Sequence, residues 1–554
     1  MTTVALRLLH ILLLLFLVAP APAALARDTL VIGISQYPST LHPGFEPMLA
    51  RSYVLGLARR PFTVYDADWN LVCLLCTELP TFENGRAKRE TTPDGGEGVA
   101  VTYTIRPDAS WGDGTPVSSE DVLFAWQIGR EPASGLLPYE FYRRVYQVDM
   151  VDERTFTLHV DRLTFDYNSI QSFEPLPAHL EAEAAIDPAA YRTRTRFVTD
   201  PTNPGLYNGP YRISGVTPGS HIELKRNEHW SGPAPAFDRI VIRTIENTAA
   251  LEANLLSGAI DMIAGELGLT PDQAASLEPR AGEHFRIVYT PGLIYEHIDP
   301  NLDNPILADR RVRQALLYGL DRQAISEQLF AGRQPVAASN VSPLDPVHAD
   351  DIRQYTYDAE KAANLLDDAG WPLGADGKRR NAAGETLSLE LMTTAGDRTR
   401  ELVQQVLQSQ WRSLGIDVRI RNQPARVFFG ETVLKRNFSG MAMFAWISAP
   451  ESVPRTTLHS DEIPTPENGY AGQNTSGFRN AEVDSLIDRI EVELDEDKRR
   501  ALWHRLQVVY AEELPALPLY FRANAFVLPA WLDGVVPTGH QYPTTLWVET
   551  WRVR

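Results

Sequence analysis

The sequence predicts an α/β fold, because segments with the period of a strand alternate along the chain with segments that have the period of a helix. Residues 101–105 alternate apolar and polar side chains, as a half-buried strand does, and a helix signal begins at Ser118 after a short turn. Asp309 and Asp321 each precede apolar residues spaced by four, which is the pattern of a capped amphipathic helix. Residues 416–420 alternate again, directly after another helical segment.

The composition is that of a globular protein, and the charge excludes one class of partner. The chain has 554 residues, of which 44% are hydrophobic and 22% are charged. This length corresponds to about three to four domain-sized units. The formal net charge of −19 argues against nucleic-acid binding, because contacts with phosphates need clustered Lys and Arg.

The first 26 residues have the features of a signal peptide. Arg7 supplies a positive n-region, and residues 8–18 form an apolar h-region. Residues 24–26, Ala-Leu-Ala, have the small-x-small pattern of a cleavage site. We therefore expect cleavage after Ala26 and export to the periplasm. No cysteine follows the h-region as a lipid acceptor, and no later stretch is long and apolar enough to span a membrane.

Cys73 and Cys76 are the only cysteines of the chain. A redox C-x-x-C would need a thioredoxin-like βαβ context, and a metal site would need two more ligands. A structural disulfide suits an oxidising compartment and is the expected state. It requires the chain to turn, because residues three apart are separated by about 10 Å in a strand but by about 5 Å in a helical turn.

Three motifs carry a resemblance to a known family. Residues 111–126 follow the pattern W-x-D-G-x-P-V-x-x-x-D-V-x-F-x-W, residues 258–262 read G-A-I-D-M, and residues 309–322 read D-R-R-V-R-Q-A-L-L-Y-G-L-D-R. These segments, in this order, resemble the extracytoplasmic solute-binding proteins of peptide, nickel and related ABC importers. The similarity extends over essentially all of the chain after residue 26.

The resemblance implies a two-lobed periplasmic-binding-protein fold, a hinged clamshell of the large type with an extra inserted subdomain. From the order of the chain, we expect lobe I to consist of residues 27–60, 205–293 and 518–554. The inserted subdomain of lobe I is then 61–204, and lobe II is 294–517. The two crossings between lobes are expected near residues 291–292 and 515–518.

The resemblance also implies that a monomer captures a peptide or peptide-like solute, without a cofactor, and delivers it to a cognate ABC permease in the inner membrane. One position departs from the peptide-binding pattern. Peptide binders of the family carry an Asp three residues after the equivalent of Trp446, where it pairs with the α-amino group of the peptide. Here that residue is Ala449, and Glu451 is the nearest possible substitute. A non-peptide solute, such as an oligosaccharide, an opine-like molecule or a metal complex, is therefore the alternative.

The candidate ligand-binding residues lie in loops that follow predicted strands. They are Tyr37, His42, Arg426, Trp446, Ser448, Glu451, His459 and Tyr470. Glu451, His459 and Tyr470 belong to the loop 447–477, whose length and polar composition are typical of binding loops. Arg426 is suited to bidentate pairing with a ligand carboxylate. The structural alternative is a core position for Trp446 and a solvated loop position for the others.

No catalytic residue and no metal ligand is assigned. We find no G-x-S-x-G, H-E-x-x-H, P-loop or G-x-G-x-x-G motif in a suitable context. Carboxylates are abundant, but no spacing pairs them, so a secreted hydrolase of glycosidase type is the remaining enzyme hypothesis.

Overall fold

A computed structural model describes residues 27–45, 48–136, 139–170, 173–424, 427–466, 470 and 472–554. The predicted signal peptide and Arg426 lie outside the described residues. Within these ranges, no helix has both the length and the apolar character needed to cross a membrane.

The strands are spread over the whole described chain. They are β1 (Thr29–Ile34), β2 (Thr63–Tyr65), β3 (Leu71–Cys73), β4 (Ala87–Thr91), β5 (Glu97–Thr104), β6 (Val145–Met150), β7 (Thr155–Val160), β8 (Tyr211–Thr217), β9 (His221–Arg226), β10 (Arg239–Thr244), β11 (Met262–Ile263), β12 (Phe285–Pro300), β13 (Ser388–Met392), β14 (Asp417–Ile420), β15 (Met441–Ile447), β16 (Leu517–Pro529), β17 (Leu532–Asp533) and β18 (Arg552–Val553).

Helices alternate with the strands, which confirms the predicted α/β class. They are α1 (Leu49–Ala58), α2 (Ser119–Gly129), α3 (Tyr139–Arg144), α4 (Ala178–Glu181), α5 (Pro188–Arg194), α6 (Arg196–Thr199), α7 (Thr248–Leu256), α8 (Pro271–Ala281), α9 (Pro305–Ala308), α10 (Arg310–Tyr318), α11 (Arg322–Phe330), α12 (Ala359–Asp368), α13 (Arg398–Ser413), α14 (Arg455–Leu458), α15 (Ala481–Val492) and α16 (Glu496–Glu513). Residues 428–433 form a π-helix.

One mixed sheet of ten strands runs through the molecule in the order β14-β13-β15-β12-β16-β11-β1-β10-β9-β8. Its two longest strands, β12 and β16, pair antiparallel near the middle of the sheet, and the register of this pair shifts between Pro291 and Ile294. After the shift, residues 294–300 of β12 also pair with β15. The other end of β16 pairs with β11, at Val527. The long central pair therefore connects two halves of the sheet.

The apolar side chains form separate cores on the two halves. The largest core takes its residues from 30–267 and 526–551, and the next largest takes its residues from 298–520. Two cores joined by a long strand pair agree with the predicted two-lobed fold. The bounds of the lobes and of the inserted subdomain stay a prediction.

A smaller antiparallel sheet, in the order β4-β5-β7-β6, lies within residues 61–204. Its buried side chains, such as Val101 and Phe156, belong to the same core as those of β1. The Gly-rich and charged composition of residues 83–98 predicts a surface hairpin loop, and this prediction is wrong for part of the segment. Residues 87–91 form β4 and pair with β5, so that only residues 92–96 form the turn of the hairpin.

The motif at residues 111–126 is a structural brace. Ser118 and Asp121 form the predicted capping box at the start of α2. The Asp121 carboxylate also accepts hydrogen bonds from Trp111 Nε1 at 2.9 Å and from the backbone N–H of Ala178 at 2.8 Å. The predicted N-caps Asp309 and Asp321 are confirmed as well. Local capping signals thus gave correct helix starts.

Cys73 and Cys76 form the expected disulfide, and their Cα atoms are 5.2 Å apart. The chain turns directly after β3, which brings the two residues within reach of each other. Replacing both cysteines with serine is expected to lower the free energy of unfolding by roughly 2 kcal/mol, the entropy that closing so short a loop removes from the unfolded chain. Chemical denaturation checks the energy. Mass spectrometry after alkylation without reductant should find no free thiol, and two alkylated cysteines would contradict the bridge.

Candidate ligand-binding site

Two neighbouring cavities lie on either side of the loop 447–453. The first, the main cavity, has a volume of about 400 Å³. One wall is this loop together with Glu491, and the other consists of residues within 162–170 and of residues from β5, α3 and β7. Tyr65 and Gln541 also line the cavity. The volume is within the range of about 300–1,000 Å³ that is usual for small-molecule sites.

The second cavity, the chamber, has a volume of about 140 Å³. It shares with the main cavity the lining residues Ile447, Ser448, Ala449, Ser452 and Val453. The loop 447–453 is therefore a partition between the two spaces.

Trp446 lines the chamber and is half-buried. It lies near the end of β15, opposite Tyr295 of β12. Its ring contacts Phe444 edge-on at 5.3 Å between centroids, and Phe444 contacts His297 at 4.6 Å. The sheet thus presents an aromatic surface beneath the loop.

Glu451 lines the main cavity at a sharp bend of the loop, where its φ is 52°. Its backbone N–H donates to Asp345 Oδ2 at 3.0 Å. Its carboxylate lies 3.5 Å from Arg499 Nη2 and keeps 26% of its surface exposed. Burial raises the pKa of Asp345 to about 6, although hydrogen bonds from the backbone N–H groups of Val347 and Glu451 oppose the shift. Glu451 is therefore held by its backbone, while its carboxylate remains accessible from the cavity.

Carboxylates also affect the pKa of Tyr65, which lines the main cavity. Burial raises the pKa of Tyr65 well above its ordinary value, and the charges of Glu451, Asp166 and Asp345 raise it further, against the effect of Arg499. The region around the Tyr65 hydroxyl therefore has a negative potential, which favours a cationic group of a ligand.

The two walls of the main cavity contact each other directly. Arg162 Nη2 lies 2.7 Å from Glu491 Oε2, and Arg455 Nε lies 2.6 Å from Glu491 Oε1. The backbone N–H of Phe165 donates to the Glu491 carbonyl at 2.9 Å, and the Arg499 guanidinium lies over the Phe165 ring at 4.5 Å. An ion-pair network therefore closes one side of the site.

The structure brings together three of the eight residues singled out in the sequence. Ser448 and Glu451 line the main cavity, and Trp446 and Ser448 line the chamber. His459 is 5% exposed, with its Nε2 atom 3.7 Å from Asp488 on α15. The role of Trp446, Ser448, Glu451 and His459 in ligand binding stays a prediction.

The remaining candidates lie elsewhere. His42 is fully buried, and its ring nitrogen is 3.2 Å from the Tyr191 hydroxyl. Tyr37 packs against the largest core. The ring of Tyr470 lies 5.7 Å from Lys435 Nζ, and neither Tyr37 nor Tyr470 lines the two cavities. We therefore leave these residues out of the proposed site.

Sequence reasoning missed the residues that face the loop from the other wall and from below. They are Tyr65, Arg162, Phe165, Asp166, Asp345 and Glu491. None of them belongs to a motif, and the separation of 329 residues between Arg162 and Glu491 leaves no local signal. Among the described residues, no group of three or more His, Cys, Asp or Glu is placed to hold a metal ion.

Comparisons with known proteins agree with this architecture. The family model for bacterial extracellular solute-binding proteins, family 5 Middle, matches residues 81–462. The oligopeptide-binding protein OppA of Bacillus subtilis (strain 168) is 22% identical over 541 residues, which are 93% of this chain and 91% of that protein.

Solved structures are similar over nearly the whole chain. The oligopeptide-binding protein from Thermus thermophilus, complexed with a pentapeptide, is 33% identical with a TM-score of 0.76, and the match covers 94% of this chain and 96% of that one. NikZ from Campylobacter jejuni, in complex with Ni(L-His), is 21% identical with a TM-score of 0.77. The match covers 95% of this chain and 99% of that one.

The match of the family model over most of the chain, together with a solved structure that is 33% identical over 94% of it, shows that this chain belongs to the bacterial extracellular solute-binding proteins of family 5.

Proposed function

We propose that the protein is the periplasmic substrate-binding component of an ABC importer, and that it encloses a peptide or peptide-like solute in the main cavity. It is exported by a signal peptide that is cleaved after Ala26, acts as a monomer, and delivers its ligand to a permease in the inner membrane. The observation that carries the proposal is the main cavity itself, because its lining combines residues of the predicted inserted subdomain with residues of the predicted lobe II. A ligand that contacts both walls stabilises the closed form by its differential affinity.

The charge around the loop supports a ligand with a free amino group. Ala449 offers no carboxylate, but the Glu451 carboxylate lines the same cavity and Asp166 lies on the opposite wall. A buried ammonium needs such a partner, because an unpaired buried charge is costly. We therefore assign the counter-charge for the amino group to Glu451.

A non-peptide solute is the second candidate, and Ala449 is the observation that favours it. The family resemblance predicts an aspartate at this position, and the chain has none there. Proteins of similar fold also include NikZ, in complex with Ni(L-His). An oligosaccharide, an opine-like molecule or a metal complex would not need an amino-terminal clamp. We propose no catalytic activity and no cofactor.

A screen for thermal stabilisation separates these candidates. The mature protein is heated with di- to octapeptides, with oligosaccharides and with nickel complexes, because a ligand that binds only the folded state raises the midpoint. We expect stabilisation by peptides. A clear shift with sugars or nickel complexes and none with any peptide would overturn the peptide assignment.

Replacing Trp446 with alanine is expected to weaken binding of the best peptide about tenfold, since large aromatic side chains at the centre of a site carry much of the binding energy. Isothermal titration calorimetry measures the change. Trp126→Ala is the matched control, because Trp126 is also half-buried, its Nε1 donates to the Val145 carbonyl, and neither residue lines either cavity. An unchanged Kd for Trp446→Ala would remove this residue from the site.

A further inference from the structure

We propose that the chamber is a specificity pocket that takes one uncharged side chain of the ligand, and that a phenol ring is the group that fits it best. The inference rests on the proposed function, because it assigns one part of the captured solute to a space beside the main cavity. It is carried by the size of the chamber, by its thin partition and by a buried donor without an acceptor.

The partition between the two spaces is thin. Ser448, Ala449 and Ser452 line both cavities, and all three have small side chains. Ala449 contributes only a methyl group, and Ser448 and Ala449 are half-buried. A ligand that lies in the main cavity therefore has a short path into the chamber through a modest shift of the loop.

The size and the walls of the chamber suit an aromatic ring. Its volume of about 140 Å³ is close to that of an apolar cavity of about 150 Å³ that is known to hold benzene. Tyr295, Trp446, Trp503 and Tyr510 supply aromatic walls. Aromatic pairs prefer offset or edge-on contacts, which such walls offer to an inserted ring.

Some residues that line the chamber carry a buried donor that lacks an acceptor. Trp503 is 1% exposed, and its Nε1 has no hydrogen-bond partner in the part of the chain that the structure describes. The hydroxyl groups of Tyr295 and Tyr510 are 2.8 Å apart, so that one hydrogen joins them and the other has no acceptor among the described residues. A buried donor without an acceptor destabilises the fold, and an oxygen atom of a ligand would satisfy it.

The carboxylates of the chamber already accept hydrogen bonds from groups of the protein, so an uncharged ligand group does not have to satisfy them. Thr475 Oγ1 donates to Asp299 at 2.5 Å, and His297 Nε2 lies 3.3 Å from the same carboxylate. Asp345 accepts the backbone N–H groups of Val347 and Glu451. An uncharged group that is apolar in its body and able to accept a hydrogen bond, as a tyrosine side chain is, therefore matches the chamber.

Calorimetry with four tripeptides tests this assignment on the mature protein: Ala-Tyr-Ala, Ala-Phe-Ala, Ala-Lys-Ala and Ala-Ala-Ala. We expect Ala-Tyr-Ala to bind at least tenfold more tightly than Ala-Ala-Ala and Ala-Lys-Ala, with Ala-Phe-Ala between them. Trp503→Phe removes the donor and keeps an aromatic ring, so we expect it to abolish the preference for tyrosine over phenylalanine.

A matched control separates the donor from a general effect of losing a buried indole. Trp551 is also 1% exposed with an unpartnered Nε1 among the described residues, but it belongs to the largest core, away from the chamber. We expect Trp551→Phe to leave the order of the tripeptides unchanged. Ala449→Leu, in the half-buried loop, thickens the partition and is expected to reduce the difference between the tyrosine and alanine peptides.

Small probes make the test independent of peptide binding. We expect p-cresol to stabilise the wild-type protein more than toluene does, and Trp503→Phe to remove that difference. Equal affinities, within twofold, for the tyrosine and alanine peptides would overturn the pocket and leave the proposed function intact. No binding of any tripeptide, with p-cresol still selected over toluene, would support the pocket and count against the peptide assignment. No response to tripeptides or to p-cresol would overturn both.

Discussion

Replacing Glu296 with glutamine is expected to destabilise the protein by about 3 kcal/mol, the energy that corresponds to the lowered pKa of this residue. Glu296 lies on β12 and is completely buried. Its Oε1 accepts from Arg400 Nε at 2.8 Å, and its Oε2 lies 2.5 Å from Arg522 Nη2. Burial alone would raise its pKa, but Arg400 and Arg522 outweigh burial and hold the pKa at about 2, below the ordinary value of 4.5. Glutamine leaves both guanidinium groups without a counter-charge, and breaking a buried pair in this way is costly.

The same shift predicts how stability depends on pH. Because the pKa of the Glu296 carboxyl is lower in the folded state, its contribution is complete above a pH of about 4.5 and is lost as the pH falls toward 2. The wild-type protein should therefore lose more stability than Glu296→Gln over this interval. Urea denaturation at several pH values measures both effects.

An exposed ion pair provides the control. Glu482 on α15 pairs with Arg505 at 2.7 Å, and both side chains are about half exposed, at 48% and 47%. Glu482→Gln is expected to cost less than about 1 kcal/mol, as is usual for surface pairs. A loss for Glu296→Gln no larger than that of the control would contradict the role assigned to the buried cluster.

Features encoded by local sequence were predicted correctly, and features formed by distant segments were not. The helix starts at Asp309 and Asp321 depend on residues two or three positions apart, so the sequence displays them directly. His42 follows the first strand as a polar loop residue would, yet it is buried because Tyr191, 149 residues away, packs against it. No pattern near position 42 shows this contact.

Of the two walls of the main cavity, the sequence pointed only to the loop that follows Trp446. The segment after Trp446 was found because it follows a recognisable strand and departs from the family pattern at Ala449. The opposite wall includes Arg162, which meets Glu491 across 329 residues of sequence. Such a meeting depends on how the inserted sheet packs, and no spacing in the sequence encodes it.

Replacing Glu491 with lysine is expected to raise the Kd of every ligand about thirtyfold or more, because like charges brought together at an interface cost several kcal/mol. Glu491 is 12% exposed and lies between Arg162, which belongs to the predicted inserted segment, and Arg455, which belongs to the predicted lobe II. The change sets three positive groups against each other where the walls of the main cavity meet. The apparent affinity is proportional to the fraction of molecules that can close. A smaller fraction therefore lowers the apparent affinity for all ligands by the same factor.

Calorimetry with two unrelated ligands of the wild type distinguishes closure from direct contact, since an effect on closure weakens both by the same factor. Small-angle X-ray scattering should also show a larger radius of gyration for Glu491→Lys. Glu482→Lys is the matched control, because it changes the same charge on the same helix at an exposed pair. Adding Arg162→Glu to Glu491→Lys restores an attractive pair between the walls and should recover much of the affinity. Unequal losses for the two ligands, or no rescue by Arg162→Glu, would show that the contact does not control closure.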